Sequence, residues 1–247
     1  MHTVFRFLRQ LLLTVLLLAL LVLVAAGGYF AVTGHKLYES AIQVTPIDTL
    51  YSSISSREGF VPYAQLPQTY INAVISAEDS RFTHHKGVDP VSIARALVTD
   101  LRTGSFAEGG STITQQLAKN TLFTQEKHLA RKAAEMFAAL AIEKQYNKEQ
   151  IFEMYVNTIY FGSGHYGIGE AAQGYFGKPP RELTRAEYAR LVTANAPSAY
   201  SPNSSPDLAV KRMQVVLNRM VGCKKLTREQ ADALAAEAVT LQFLPAS

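Results

Sequence analysis

The first part of the chain is almost entirely apolar and predicts one membrane-spanning helix. No charged side chain occurs from Gln10 to Gly34, and Leu11 to Ala26 is nearly unbroken Leu, Val and Ala. About 20 apolar residues are enough for a helix to cross a bilayer core of about 30 Å, so residues 10–34 can span it. The alternative is a cleaved signal peptide, because the small residues Val24-Ala25-Ala26 follow a basic start. We favour an uncleaved anchor, since signal-peptide cores usually run only about 7–15 residues.

The charges around this helix predict its orientation. Arg6 and Arg9 precede the span, and a long polar region follows it. The positive-inside tendency therefore places residues 1–9 in the cytoplasm and the following domain outside. The predicted localisation is the cytoplasmic (inner) membrane, with a single pass and an extracytoplasmic domain. Residues 35–59 show little periodicity and are predicted to be a stalk.

Beyond the stalk the apolar positions follow helical spacing, and no alternating run is long enough to demand a large sheet. One short strand is expected near Phe60-Val61. A helix opened by Pro67 carries Ile71, Val74, Ile75, Glu78 and Phe82 on one face, and a second stripe consists of Ile93, Leu97, Val98 and Leu101, stopped by Gly104. A third stripe consists of Leu129, Ala133, Met136, Phe137 and Leu140. Start signals predict helices at Asp89-Pro90, Thr112 with Gln115, Asn147 with Gln150, Thr184 with Glu187, Ser205-Pro206, and Thr227 with Gln230. The predicted fold is mostly α.

Composition narrows the class of protein. The 247 residues are 48% hydrophobic and 18% charged, with one cysteine, which excludes a disordered tail, a coiled coil and a disulfide scaffold. Lys and Arg number 24 against 20 Asp and Glu. Once Arg6 and Arg9 are set aside, the excess of four falls to two, so nucleic acid is not expected as a partner. Cys223 is interpreted as a small buried hydrophobe.

Glu78 is the sharpest chemical signal in the chain. It lies in the middle of the apolar stripe that Pro67 opens, whereas Asp79 points to one side. Burial disfavours the charged form of a carboxylate and so suits it to general acid or base work near neutral pH. The structural alternative, given even weight, is a buried glutamate paired with Arg81 or Arg95.

Two further patterns indicate an anionic ligand. Gly109-Gly110 lead into a capped helix start, which leaves backbone N–H groups free at the positive end of a helix dipole. A basic cluster follows at Lys119, Lys127, Arg131 and Lys132. The alternative is a surface ion pair between Arg131 and Glu135, worth a few tenths of a kcal/mol. No HExxH, paired CxxC or Ser-x-x-Lys motif occurs.

In order along the chain, these segments resemble the peptidoglycan glycosyltransferases of glycosyltransferase family 51, in the single-domain, membrane-anchored, monofunctional form. The resemblance covers about residues 60–220. It is carried by Glu78-Asp79-Ser80-Arg81-Phe82 with His85 and Gly87; Gly110 to Leu117 with Lys119-Asn120; Arg131 to Glu135; Ile151 to Asn157 with Phe161-Gly162, Gly167-Ile168, Ala171-Ala172 and Tyr175-Phe176-Gly177-Lys178; and Ala196-Pro197-Ser198 with Tyr200-Ser201-Pro202. The family often has arginine where Lys127 stands, and lysine lacks the bidentate phosphate contact of arginine.

The resemblance implies a fold, a reaction and a set of site residues. The fold is a lysozyme-like, two-lobed helical domain with a head and a membrane-proximal jaw at residues 60–222, followed by a C-terminal helical tail at 223–247. The reaction polymerises lipid II, a disaccharide-pentapeptide on undecaprenyl diphosphate, with inversion at the anomeric carbon. Glu78 and Glu135 are implied as catalytic. Implied substrate-binding residues are Asp79, Phe82, His85, Gly87, Ser111, Thr112, Gln115, Gln116, Lys119, Asn120, Lys127, Arg131 and Lys132.

Cofactors and partners follow from the same resemblance. No organic cofactor is expected. Mg²⁺ or Mn²⁺ is the divalent cation that would assist the departure of the diphosphate, and no residue is assigned as its ligand. The expected partners are lipid II, the growing glycan strand, the membrane and other cell-wall synthesis or division proteins. Moenomycin, a phosphoglycolipid mimic of the strand, is expected to occupy the cleft, and no transpeptidase activity is expected.

Two other functions compete with this one. A lysozyme-like hydrolase of finished peptidoglycan would use Glu78 as an acid, but it leaves the basic cluster and the anchor without a role. A catalytically silent anchored scaffold is disfavoured because no motif position is visibly broken.

Overall fold

Eleven helices form most of the part of the chain that the computed structural model describes, namely residues 2–104, 109–124, 129–194 and 206–239. They are α1 (His2–Val44), α2 (Leu50–Ser55), α3 (Gln68–Glu78), α4 (Pro90–Thr103), α5 (Ile113–Leu122), α6 (Leu129–Gln145), α7 (Lys148–Val156), α8 (Gly167–Phe176), α9 (Arg185–Ala194), α10 (Pro206–Gly222) and α11 (Arg228–Val239). Within those ranges the one strand-like pairing is an isolated bridge between Tyr160 and Tyr166. The prediction of a mostly α fold is confirmed.

The helix starts that the sequence predicts are present. Thr112 and Gln115 form a reciprocal capping box at the start of α5, and Asn147 and Gln150 form one at the start of α7. The Asp89 side chain accepts a hydrogen bond from the backbone N–H of Val91 at the start of α4. These starts were predictable because the groups that make each cap lie within three residues of one another.

All three predicted stripes differ from the structure. On α6 the predicted Leu129 and Leu140 are exposed, and the buried residues are Ala134, Glu135, Ala138, Ala139 and Ile142. Helix α3 ends at Glu78, so Phe82 lies outside it, in a short 3₁₀ turn at Phe82–His84. Asp79 leaves helical geometry with φ −156° and ψ 76° because its carboxylate turns toward the start of α5. On α4 the predicted apolar stripe faces outward, and Leu101 is 86% exposed. Ser92 is the buried residue of α4.

The N-terminal helix is longer than predicted, and the predicted stalk is packed. The part of α1 from Phe5 to Val44 is long and apolar enough to cross a membrane. No residue in its most apolar stretch is buried against the rest of the protein. The end of α1 packs on α6, where the His35 and Phe137 rings meet edge to face at 5.1 Å. Leu50 and Ile54 of α2 then enter the core. Residues 35–59 therefore belong to the folded unit, because α1 continues through their first ten residues and α2 buries its apolar pair.

The strand expected near Phe60-Val61 is replaced by a side-chain contact. Asn157 Oδ1 accepts from the Val61 N–H, and Asn157 Nδ2 donates to the Val61 carbonyl oxygen, both at 2.9 Å. The asparagine amide therefore supplies the two hydrogen bonds that a neighbouring strand would give, so the extended backbone needs no sheet partner.

The helices pack in two groups that share one hydrophobic core. Helix α10 contacts α3, α9 and α11, and α9 contacts α3 and α11, while α6 packs on α1 and α5, and α7 packs on α5. Part of the predicted C-terminal tail belongs to the first group, since Ala231, Leu234 and Ala238 of α11 lie in the core. The candidate site residues that the structure describes lie at the end of α3 and in the turn after it, in and just before α5, and in the first half of α6.

Candidate active site

Glu78 is the last residue of α3, where its side chain is 16% exposed. Its Oε2 accepts a hydrogen bond from Gln116 Nε2 at 3.2 Å, and its Oε1 lies 3.4 Å from Arg212 Nη2. The two partners considered from sequence, Arg81 and Arg95, bind other groups instead. Glu78 is therefore a partly exposed carboxylate with one anchor on each oxygen.

Gln116 carries a second contact that fixes the direction of its amide. Its Oε1 accepts from the hydroxyl of Tyr155, a fully buried residue of α7, at 3.2 Å. Because the amide oxygen faces Tyr155, the amide N–H₂ group faces Glu78. An ionised carboxylate only accepts hydrogen bonds, so it needs a donor there. A chain of contacts therefore runs from the core through Tyr155 and Gln116 to the carboxylate.

The predicted ligand residues around Asp79 bind one another. Asp79 Oδ2 lies 2.9 Å from His85 Nε2 and accepts from the backbone N–H of Ile113 at 3.1 Å. His85 Nδ1 accepts from the Gly87 N–H, so the proton of the neutral ring lies on Nε2 and points at Asp79. The Thr112 hydroxyl donates to the Gly87 carbonyl oxygen at 2.6 Å. This network fastens the turn after α3 to the start of α5.

Phe82 and Gln115 are also buried in structural positions. Phe82 belongs to the core, where its ring lies 6.4 Å from that of Phe152, and Lys148 Nζ lies 4.3 Å from the Phe82 ring centre. Gln115 is occupied by the cap of α5. Substrate contact by these two residues stays a prediction, and the structure gives each a role in holding the site together.

The basic cluster is organised by a buried carboxylate at the start of α6. Glu135 is 1% exposed, with Oε1 at 3.1 Å from Arg131 Nε and Oε2 at 2.9 Å from Lys132 Nζ. Lys132 Nζ also donates to the Ser111 hydroxyl at 2.5 Å, and its side chain is 46% exposed. Arg131 Nη1 donates to the Thr124 carbonyl oxygen at 3.2 Å. The Arg131–Glu135 pair exists, but its carboxylate is buried rather than on the surface.

Helix α5 connects the carboxylate with the cations. Ser111, just before α5, contacts Lys132, and Gln116, within α5, contacts Glu78. The two residues are five positions apart in sequence, and α5 begins between them at Ile113. Lys119 lies about one turn beyond Gln116 and, like Asn120, is half-buried, and within the described ranges neither side chain makes a hydrogen bond to another residue. Lys127 lies outside the described residues, as do the predicted motif positions at 196–198 and 200–202.

Asp89 supports the loop that carries His85 and Gly87. Burial raises the pKa of Asp89. Hydrogen bonds from the Ser92 hydroxyl and the Val91 N–H, together with the Arg81 charge, lower this pKa by more than burial raises it. The net pKa lies below the ordinary value. Arg81 Nε lies 3.0 Å from the carboxylate. This charge is therefore a stabilising feature of the folded state rather than a chemical group of the site.

The donor set does not fit a metal held by the protein. Over the ranges that the structure describes, no group of three or more His, Cys, Asp and Glu side chains is arranged to hold a metal ion. Asp79 and His85 already bind each other.

Sequence reasoning missed Arg212, Arg219 and Tyr155. Arg212 contacts Glu78 across 134 residues of sequence, and Arg219 donates to the Ala77 carbonyl oxygen. Both arginines border the apolar stripe of α10, a position typical of solvated surface residues. Tyr155 resembles an ordinary core residue in sequence.

Most of the chain is similar in sequence to known proteins. A family model described as "Transglycosylase" matches residues 45–221. The chain is 43% identical to penicillin-binding protein 1A of Aquifex aeolicus over 195 residues, which is 78% of this chain and 27% of that protein. It is 39% identical to penicillin-binding protein 1A of Haemophilus influenzae over 93% of this chain and 27% of that protein.

A further relative is penicillin-binding protein 1A of Escherichia coli, 44% identical over 72% of this chain and 21% of that protein. The chain thus spans about a quarter of the length of these relatives. The crystal structure of penicillin-binding protein 1A from Haemophilus influenzae aligns with a TM-score of 0.45 at 25% identity, covering 76% of this chain and 18% of that chain.

Proposed function

The chain belongs to the transglycosylase family, and we propose that it is a peptidoglycan glycosyltransferase that polymerises lipid II into glycan strands. The leaving group is undecaprenyl diphosphate, and the anomeric carbon inverts. The proposal is supported by the family match, which spans the described candidate residues, and by the penicillin-binding proteins 1A that the chain resembles.

In the proposed reaction Glu78 is the general base. It takes the proton from the sugar hydroxyl that attacks the anomeric carbon of a second substrate. The new glycosidic C–O bond forms as the bond to the diphosphate breaks, so the electron pair of the broken bond leaves on a phosphate oxygen. The partial exposure of Glu78 gives a substrate hydroxyl access to the carboxylate.

The leaving group calls for cations rather than for an acid. A diphosphate is a weak base, so its departure is assisted by positive charge where negative charge develops. Lys119, Arg131 and Lys132 are proposed to supply that charge. Glu135 is proposed to act by orienting Arg131 and Lys132, because both of its oxygens are engaged by them.

The observation that carries the proposal is the placement of both groups along α5. One end of this segment contacts the cation that Glu135 holds, and its middle contacts the carboxylate of Glu78. A base and a cationic cluster that contact the same segment, at Gln116 and Ser111, match a reaction that removes a proton at one place on the substrate and releases phosphate at another. A hydrolase would instead need a proton donor at the leaving oxygen.

The described residues offer no ligand cluster for Mg²⁺ or Mn²⁺. A divalent cation that arrived with the substrate would supply positive charge near the diphosphate, and no step of the proposed reaction depends on it. No organic cofactor is proposed, and the steps assigned to Glu78 and the cationic residues need none.

The proposed site lies on the outer face of the membrane. Helix α1 would anchor the domain, with Arg6 and Arg9 on the cytoplasmic side. The proposed partners are lipid II, the growing strand, the membrane and other wall-synthesis or division proteins. Residues 1–247 contain no Ser-x-x-Lys motif, so the activity that we propose for them is strand lengthening, with no cross-linking step assigned to these residues.

Purified protein incubated with labelled lipid II tests the proposal directly. The wild type should form polymer, and Glu78→Gln should lower the rate by at least about 100-fold, because the amide keeps the shape but cannot take the proton. Glu182→Gln, at an exposed carboxylate, is the control. Near wild-type polymerisation by Glu78→Gln would refute the base assignment. Cleavage of finished glycan without polymerisation would favour the hydrolase.

A further inference from the structure

Two arginines of α10 reach the end of α3 that carries Glu78. Arg212 Nη2 lies 3.4 Å from Glu78 Oε1, and Arg219 Nη1 donates to the carbonyl oxygen of the preceding residue, Ala77. Seven residues are about two helical turns, so both side chains leave the same side of α10. Arg219 satisfies one of the carbonyl groups that the last turn of a helix leaves unpaired, and it fixes the backbone from which Glu78 projects.

The other carboxylate oxygen is held from the opposite group of helices. Gln116 of α5 donates to Oε2 of Glu78, and its own direction is set by the Tyr155 hydroxyl of α7. Glu78 thus receives one contact from each group of helices. Rotation of the carboxylate about its terminal bond, which is otherwise soft, would break both contacts together.

We propose that Arg212 and Tyr155 are positioning residues for Glu78, Arg212 directly and Tyr155 through Gln116. The inference rests on the proposed function. A general base must lie within hydrogen-bond reach of the proton it takes and must point its lone pair at that proton. Two anchors on two different oxygens hold one carboxylate orientation and leave its remaining lone pairs for the substrate hydroxyl.

The helices that carry these residues are held by other contacts. Met213, Val216, Leu217 and Met220 of α10 are buried in the core, so α10 does not depend on the Arg212 contact for its packing. Tyr155→Phe keeps the buried ring and removes the hydroxyl alone. These substitutions are therefore expected to change the orientation of Glu78 without unfolding the domain.

Initial rates of lipid II polymerisation by the full-length membrane protein test the proposal. Tyr155→Phe and Arg212→Met should each lower kcat by about 10-fold, because each slightly misplaces the base. KM and the melting temperature should stay near the wild-type values. Arg212→Lys should recover much of the lost kcat, because its ammonium can still pair with the carboxylate. Tyr175→Phe and Arg228→Met are the matched controls. Tyr175 is a fully buried tyrosine bonded to the Phe161 carbonyl oxygen, and Arg228 pairs on the surface.

The outcomes separate this inference from the proposed function. If the wild type does not polymerise lipid II, or Glu78→Gln does so normally, the proposed function fails. If Glu78→Gln is inactive while Tyr155→Phe and Arg212→Met keep the wild-type kcat, the positioning inference alone is wrong. An equal loss of kcat in Tyr175→Phe, or a rise in KM with unchanged kcat, would also overturn it. Where Arg212→Met fails to fold, Arg212→Lys and Tyr155→Phe decide the question.

Discussion

Replacing Glu135 by glutamine should separate positioning from direct catalysis at the cationic cluster. The carboxylate is almost fully buried, and its two oxygens lie 3.1 Å from Arg131 Nε and 2.9 Å from Lys132 Nζ. Glutamine keeps the shape but places an N–H₂ group against a donor on one side. The side chain of Arg131 is 17% exposed and that of Lys132 46%, so part of the lost interaction is recovered by water.

The expected loss of stability is modest for this reason. Hydrogen bonds to charged groups contribute about 1.5–3 kcal/mol, whereas exposed pairs contribute up to about 1 kcal/mol. We therefore expect the free energy of unfolding to fall by about 1–3 kcal/mol. At about 2–4 °C per kcal/mol for a domain of this size, the melting temperature should fall by roughly 2–12 °C.

The expected loss of transition-state stabilisation lies near the upper end of the range expected for the free energy of unfolding. A misplacement of about 1 Å costs about 100-fold, which corresponds to about 2.7 kcal/mol of transition-state stabilisation. Initial rates per folded molecule should be compared for Glu135→Gln, Lys132→Ala and the double variant. Glu182→Gln, which removes an exposed ion pair with Arg181, is the control.

The double variant gives the decisive comparison. If Glu135 acts through Arg131 and Lys132, Glu135→Gln should lower the rate by a smaller factor in the Lys132→Ala background than in the wild type. Fully multiplicative losses would mean that Glu135 acts on the substrate itself, and the positioning argument would be refuted. A lower melting temperature with unchanged turnover would leave the ion pairs as structural contacts.

Three other perturbations have expected outcomes. Asp89→Asn should lower the free energy of unfolding at pH 7 by about 1–2 kcal/mol. Because the folded-state pKa of Asp89 is lowered, its stabilising charge is present above about pH 4 and is lost as the pH falls through that pKa, so thermal unfolding should show the difference closing in acid. Gly34→Ala should loosen α1 from α6 and lower both the melting temperature and turnover, because the new Cβ atom would lie 2.5 Å from the Cβ of Ala133. Gly28→Ala should change neither, because no other atom lies within 4 Å of its new Cβ. Fluorescent penicillin should not label the protein, whereas moenomycin should block polymerisation; stoichiometric penicillin labelling would contradict the absence of an acylated serine.

Sequence predicted the parts of the fold that are set by neighbouring residues. The caps at Thr112 and Asn147 could be predicted because both partners of each hydrogen bond lie three residues apart. The end of α3 could not, because Asp79 leaves the helix to bind His85 and the N–H of Ile113, which lies 34 residues away. A hydrophobic stripe carries no information about a hydrogen bond formed at that distance.

The same limit explains which site residues the sequence predicted. Glu78 was conspicuous because a carboxylate on an apolar face is costly whatever its partner. Arg212 was not conspicuous, because an arginine at the edge of an apolar stripe is usually solvated. Its role depends on its contact with Glu78 at the end of α3. The cost of a buried charge can be detected in one segment, whereas the group that offsets this cost can come from anywhere in the fold. Candidate bases can therefore be found from sequence more readily than the residues that orient them.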